Sequence, residues 1–144
     1  MVPTLRCATD DDLPFARELT RANMRPYYEL HALSWHEEAF DAEWGVRRSH
    51  VIVRNGKRVG FFSYSLEKDY LYIRDVQLMA LHRGEGVGGW ALDHIARIAK
   101  RCGVRAIRLK VFKGNPAIGL YRRQGFSVIG EERALLWMER ILAG

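Results

Sequence analysis

The sequence predicts a mixed α/β fold: a mostly antiparallel sheet of about six to seven strands, flanked by about four helices. Three observations carry this. Asn55-Gly56 separates two runs rich in β-branched and aromatic residues, the signature of a tight antiparallel hairpin. Strand-like runs at residues 70–78 and 106–111 are separated by a long amphipathic helical pattern, and a strand–helix–strand unit of that kind joins parallel strands. The chain has 144 residues, 48% hydrophobic and 28% charged, a length and balance that suit one domain over residues 1–144.

Each element has its local reason. Residues 3–7 read as a short first strand. Thr9 and Asp12 have capping-box spacing, and Pro14 lies at a helix start. Leu13, Ala16, Leu19 and Thr20 recur at helical spacing, which predicts a helix to about Met24, broken at Arg25-Pro26. Ser34-Trp35-His36-Glu37 repeats the capping-box pattern and predicts a short second helix toward Trp44. Beyond Gly45 the period changes to two, giving the hairpin strands at residues 51–53 and 59–66 and a further strand at residues 70–78. Gly88, Ala91, Leu92, Ile95, Ile98, Ala99 and Cys102 then share one helical face, ended by Gly103. A strand at residues 106–111 follows. Asn115-Pro116 opens a short helix through Tyr121, closed by Gly125, and residues 126–129 and 134–138 are the last strands.

Composition excludes several function classes. No run approaches the roughly 18 apolar residues of a membrane span. Residues 1–12 carry one Arg and three consecutive Asp with no apolar stretch, so they do not read as a secretory signal, and the expected location is the cytoplasm. Cys7 and Cys102 are too few for a disulfide framework or a zinc site; both are expected to be small buried hydrophobes, and no metal is expected. The net charge of +6 asks for an acidic partner. The basic residues fall in separate pairs, Arg47-Arg48, Lys57-Arg58, Lys100-Arg101 and Arg122-Arg123, without the aromatic-basic motif of an RNA-binding module.

Arg83-Gly84-Glu85-Gly86-Val87-Gly88-Gly89 precedes the clearest helix. Gly84, Gly86 and Gly89 match G-x-G-x-x-G, but no acidic residue follows on the next strand, as a dinucleotide fold would require. Trp90 and Ala91 stand where a P-loop needs Lys and a hydroxyl. What remains is a glycine turn at a helix start, whose unhindered N–H groups and helix dipole can wrap phosphate oxygens, with Arg83 adding a positive charge.

The segment from Gln77 to Gly89, with Arg83-x-x-Gly86-x-Gly88, resembles the acetyl-CoA motif of the GNAT superfamily of N-acetyltransferases. A second segment, Asn115-Pro-Ala-Ile-Gly-Leu-Tyr121-Arg-Arg-Gln-Gly125-Phe126, is similar to the family's other signature, with Ile118 in the slot where Ala117 would be one position early. The resemblance covers the whole chain and implies a GNAT-like fold, acetyl-CoA as acetyl donor and an amine as acceptor. It implies that backbone N–H groups of Arg83, Gly84, Glu85, Gly86, Val87, Gly88 and Gly89 hold the pyrophosphate. Gln77 and Leu78 would offer backbone groups to the pantetheine and the thioester oxygen. Asn115 would touch the pantetheine arm, and Tyr121 would protonate the departing thiolate. A non-catalytic acyl-CoA sensor on the same fold and a basic nucleic-acid module are the alternatives. Homodimerisation stays open.

An aminium must lose a proton before it attacks a thioester. Asp75, on the strand that feeds the glycine turn, is the leading base, with Arg74 or Arg108 as the partners it would have in a purely structural role. Glu37, Glu38 and His36 on the second helix are the other candidates, and a water relay is a further one. Tyr27, Tyr28 and Trp35 lie in the connection between the first two helices. Lining a pocket together with carboxylates, they would suit a small cationic amine; covering the core is the other reading.

Overall fold

The computed structural model describes residues 2–143. Its elements are β1 (Thr4–Cys7), α1 (Leu13–Leu30), α2 (Glu37–Trp44), β2 (Arg48–Arg54), β3 (Lys57–Leu66), β4 (Tyr70–Leu78), α3 (Val87–Arg101), β5 (Ala106–Phe112), α4 (Ala117–Arg123), β6 (Ser127–Glu132) and β7 (Leu135–Ile141). The strands form one sheet in the order β1-β2-β3-β4-β5-β7-β6. β4 runs parallel to β5, with Tyr70 opposite Ala106 and Ile73 opposite Leu109, because a helix carries the chain between them. The pairs β1–β2, β2–β3, β5–β7 and β6–β7 are antiparallel. This is the predicted mixed, mostly antiparallel sheet. The chain forms two compact units: residues up to Tyr64 together with Asp75–Glu85, and Ser65–Arg74 together with the residues from Gly86 onward.

In the first unit, Asn55 (φ 53°) and Gly56 (φ 72°) turn the β2–β3 hairpin with two left-handed residues, the pair whose twist matches the flanking strands. Ala16, Phe40, Trp44 and Phe61 form a buried cluster, with Ala8, Leu13, Leu19 and Trp35 packed against it. Its rings follow one another at centroid distances of 5.6 Å (Trp35–Phe40), 6.4 Å (Phe40–Trp44) and 6.0 Å (Trp44–Phe61). The capping box before α1 forms: the Asp12 carboxylate accepts the Thr9 N–H at 2.8 Å. The same carboxylate, 1% exposed, takes two 2.8 Å bonds from Arg6 and lies 3.1 Å from Arg58.

Two expectations in this unit are corrected. α1 does not stop at Arg25-Pro26; Pro26 lies inside the helix, which runs to Leu30. Proline removes one intrahelical bond, yet the end of the helix keeps backbone bonds from His31 N–H to Tyr27 C=O (3.1 Å) and from Leu33 N–H to Tyr28 C=O (2.8 Å), and the Tyr28 ring lies against Trp35 (6.0 Å). The second capping box is not made. His36, with extended backbone, precedes the first helical residue Glu37, two positions beyond the expected start at Ser34. The Glu37 carboxylate instead lies 3.9 Å from Arg17.

In the second unit, α3 buries Val87, Gly88, Ala91, Leu92, Ile95, Ala96 and Ala99; of the expected stripe, Ile98 is only half-buried. Cys102 lies past the last helical turn and is exposed. Cys7, on an edge strand, is exposed too, so neither cysteine is the buried hydrophobe expected. Gly103 (φ 74°) terminates α3 in the left-handed conformation. β5 buries Ala106, Ile107, Leu109 and Val111, and β7 buries Met138. Among the described residues, no helix is long and apolar enough to cross a membrane.

Candidate active site

β4 delivers the chain to the glycine turn. The Met79 N–H donates to the Val59 carbonyl at 2.8 Å, and a single 3₁₀ turn over Ala80–His82 follows. Arg83 is extended, and then Gly84 (φ 75°) and Gly86 (φ 84°) both take left-handed backbone. An added Cβ would meet nothing within 4 Å at either glycine. The sign of φ, not crowding, therefore requires glycine there, and the space in front of the turn is open. Gly86 caps α3 without a side chain, and the first intrahelical bond is Trp90 N–H to Gly86 C=O at 3.0 Å. The N–H groups of Val87, Gly88 and Gly89 thus face the helix N-terminus, where the dipole favours an anion. Gly89 is glycine for a different reason: its Cβ would lie 3.2 Å from Gln124 Nε2. The Glu85 carboxylate pairs with Arg54 at 2.6 Å.

Beside the turn, one chain of hydrogen bonds joins five side chains of the first unit. Arg83 Nη2 donates to Asn23 Oδ1 (2.6 Å), and Asn23 Nδ2 donates to Gln77 Oε1 and to the Leu78 carbonyl (3.1 Å each). Gln77 Nε2 donates to Asp75 Oδ1 (3.0 Å), and Arg47 Nη1 donates to Asp75 Oδ2 (2.6 Å). Arg47 is 5% exposed and Asp75 14%. Burial pushes the Asp75 carboxyl up from its ordinary range, against the opposing pull of Arg47 and Gln77. Its partner is therefore Arg47, not Arg74 or Arg108. Arg74 lies over the Tyr72 ring and bonds Ser65, and Arg108 pairs with Glu139 at 2.6 Å.

Aromatic residues and carboxylates meet on the same side of this unit. Arg47 also reaches Glu43 (3.3 Å) and lies 5.0 Å from the Phe40 ring centroid. The Tyr28 hydroxyl is pushed up by burial and then by the fields of Asp75 and Glu43. The Trp35 indole N–H is buried with no hydrogen-bond partner. Glu37 and Glu38 are exposed at the start of α2.

In the second unit, Tyr121 is buried on α4 and packs edge-on against Phe126 at 5.8 Å. The Asn115 side-chain oxygen accepts the Ala117 N–H at 2.9 Å, fixing the start of α4. Sequence reasoning missed Asn23, and it noticed Arg47 only as half of a basic pair. A signal for Asn23 existed. Ala16, Thr20 and Asn23 stand at i, i+4 and i+7, so a polar amide lies on the inward stripe of α1.

A strand entering a left-handed glycine turn that opens a long helix is the geometry of folds that hold phosphate-bearing cofactors. The chain belongs to the acetyltransferase (GNAT) family, whose model matches residues 16–126. It is 36% identical to the streptothricin acetyltransferase of Streptomyces lavendulae over 103 residues, 69% of this chain and 54% of that protein, so it spans about half the length of this relative. The PaiA N-acetyltransferase of Thermoplasma acidophilum, solved with coenzyme A, has the same fold with a TM-score of 0.80 at 17% identity, over 99% of this chain and 100% of that one. A nourseothricin acetyltransferase structure superposes with a TM-score of 0.64 at 27% identity, over 67% of this chain and 66% of that one.

Proposed function

We propose that this protein transfers the acetyl group of acetyl-CoA to a primary amine of a small cationic substrate. The neutral amine attacks the thioester carbon directly, and coenzyme A leaves as the thiol. The observation that carries this reading is the turn with left-handed Gly84 and Gly86 opening α3 in a chain of this family. Backbone N–H groups of residues 83–89 hold the pyrophosphate. Gln77 and Leu78 offer main-chain groups to the pantetheine and the carbonyl oxygen, where a fixed N–H opposes the charge built in the transition state. Asn115 steadies the pantetheine arm through its amide –NH₂. Tyr121 gives its proton to the leaving sulfur.

Asp75 takes the amine proton. Burial raises its proton affinity against the opposing pull of Arg47 and Gln77, and the bonds from those two side chains orient it. Around it, the Asp75 and Glu43 carboxylates outnumber the single Arg47 guanidinium that touches them, which favours an acceptor bearing positive charge. Tyr28 and Trp35 supply aromatic surface, and the buried indole N–H of Trp35 offers a hydrogen bond. The similarity to an enzyme named for acetylating streptothricin points the same way.

The test is coenzyme A release across a panel of amines, including streptothricin, diamines and peptide N-termini. Turnover of cationic small amines above the others supports the reading. Acetyl-CoA binding with no turnover on any amine supports the sensor instead.

A further inference from the structure

Hydrogen-bond direction fixes what the chain from Arg83 to Asp75 can transmit. An arginine can only donate and an ionised carboxylate can only accept. Arg83 therefore turns the Asn23 oxygen toward itself, which turns the Asn23 –NH₂ toward the Gln77 oxygen. That in turn presents the Gln77 –NH₂ to Asp75. Both amides are held in one orientation by the charges at the two ends, and each bond polarises the next. Asn23 is the member that spans from α1 to both the glycine turn and β4. It also caps the Leu78 carbonyl at 3.1 Å, which Arg83 reaches at 3.3 Å.

We propose that Asn23 is a positioning residue that links the glycine turn to Asp75, so that engagement of Arg83 by a phosphate sets how tightly Asp75 holds a proton. This rests on the donor-site reading above. A pyrophosphate held on the turn draws the Arg83 guanidinium toward its own oxygens and weakens the donation to Asn23. The Asn23–Gln77 pair is then less polarised, and the bond from Gln77 to the carboxylate weakens with it. The ionised form of Asp75 loses support while its burial is unchanged, so its proton affinity rises. Donor binding thus prepares the base, and the acceptor meets a carboxylate ready to take its proton only when acetyl-CoA is in place.

The other groups facing Asp75 are Arg47, which precedes β2, Glu43 of α2 and Tyr28 of α1. Arg47 has its own bonds to Ser63 and Glu43, so it keeps its place when Arg83 moves. Gln77 is the remaining contact, and Asn23 anchors its amide oxygen on the side away from Asp75.

The experiment is a carbon-13 NMR titration of the Asp75 carboxyl, assigned through Asp75→Asn, with and without coenzyme A. It is run on the unaltered protein and on Asn23→Leu, which keeps the volume of the amide and removes its hydrogen bonds. In the unaltered protein, coenzyme A should raise the Asp75 midpoint by about half a pH unit or more. In Asn23→Leu, with coenzyme A still bound by calorimetry, most of that rise should be gone. Any rise that remains measures the long-range field of the ligand, which both proteins feel. Asn23→Ser, too short to bridge Arg83 and Gln77, gives the same comparison should the leucine lower the melting temperature sharply. An equal rise in both proteins, or no rise in an unaltered protein that binds coenzyme A, overturns the proposal. Failure of the unaltered protein to bind coenzyme A at all overturns the donor-site reading on which it stands.

Discussion

Tyr121, Asp75 and Asp12 each make a prediction that belongs to a single side chain. Tyr121→Phe keeps the ring that packs on Phe126 and removes the hydroxyl group. Acetyl-CoA affinity should hold while kcat falls roughly tenfold or more, read in a steady-state assay. Asp75→Asn should lower kcat/KM, flatten the acidic limb of the pH profile and also lower the melting temperature, since it strips the buried Arg47 of a charged partner. The double variant Asp75→Asn with Arg47→Met separates these effects. It should recover part of the melting temperature and none of the activity. Asp12 is held down to about 2 by the Arg6 hydrogen bonds, with further help from the Thr9 N–H and Arg58. A carboxyl lowered in the folded state stabilises at pH above its unfolded value, and that contribution is lost as pH falls through the folded one. Asp12→Asn should therefore cost about 2 kcal/mol near neutrality, and the gap to the unaltered protein should close between about pH 4 and pH 2 in denaturant titrations. The Thr9–Asp12 capping box was legible because it is local in sequence. The two arginines that complete it, Arg6 and Arg58, were not, because a strand pairing and a hairpin bring them there.

Among the elements, the glycine turn and the β3–β4 approach carry the sharpest tests. Gly86→Val places a branched side chain on a left-handed backbone and into the open space before α3. Coenzyme A affinity, read by calorimetry on the folded variant, should fall sharply; unchanged affinity would remove the turn from the donor site. Gly60 on β3 is glycine because a Cβ there collides with the Gln77 carbonyl oxygen and lies 2.7 Å from Leu78 Cδ2. Gly60→Ala should displace this end of β4 and lower kcat more than it lowers stability, measured as turnover against melting temperature. The helix and strand periods were readable because burial repeats every 3.6 or 2 residues. The end of α1 was not. Past Pro26 the helix places the Tyr28 ring 6.0 Å from Trp35, a contact made across a loop that local propensity does not register.

For the molecule as a whole, the expectation is linkage. Acetyl-CoA should raise the melting temperature in proportion to the logarithm of its concentration above Kd. With a net charge of +6 and an anionic donor, KM for acetyl-CoA should climb with ionic strength faster than KM for the cationic acceptor. The element order, the parallel β4–α3–β5 unit, the glycine turn that opens α3 and the family were all legible in the residues, because these rest on periodicity and on short motifs whose backbone demands are local. The pairing of Asp75 with Arg47 and not with its sequence neighbour Arg74, and the bridge that Asn23 on α1 makes from Arg83 to Gln77, exist only in the folded chain. Those contacts link residues 28, 60 and 54 positions apart in the chain. A charge or an amide carries no mark of its distant partner, and the pairing exists only once strands and helices have brought the two within hydrogen-bond reach.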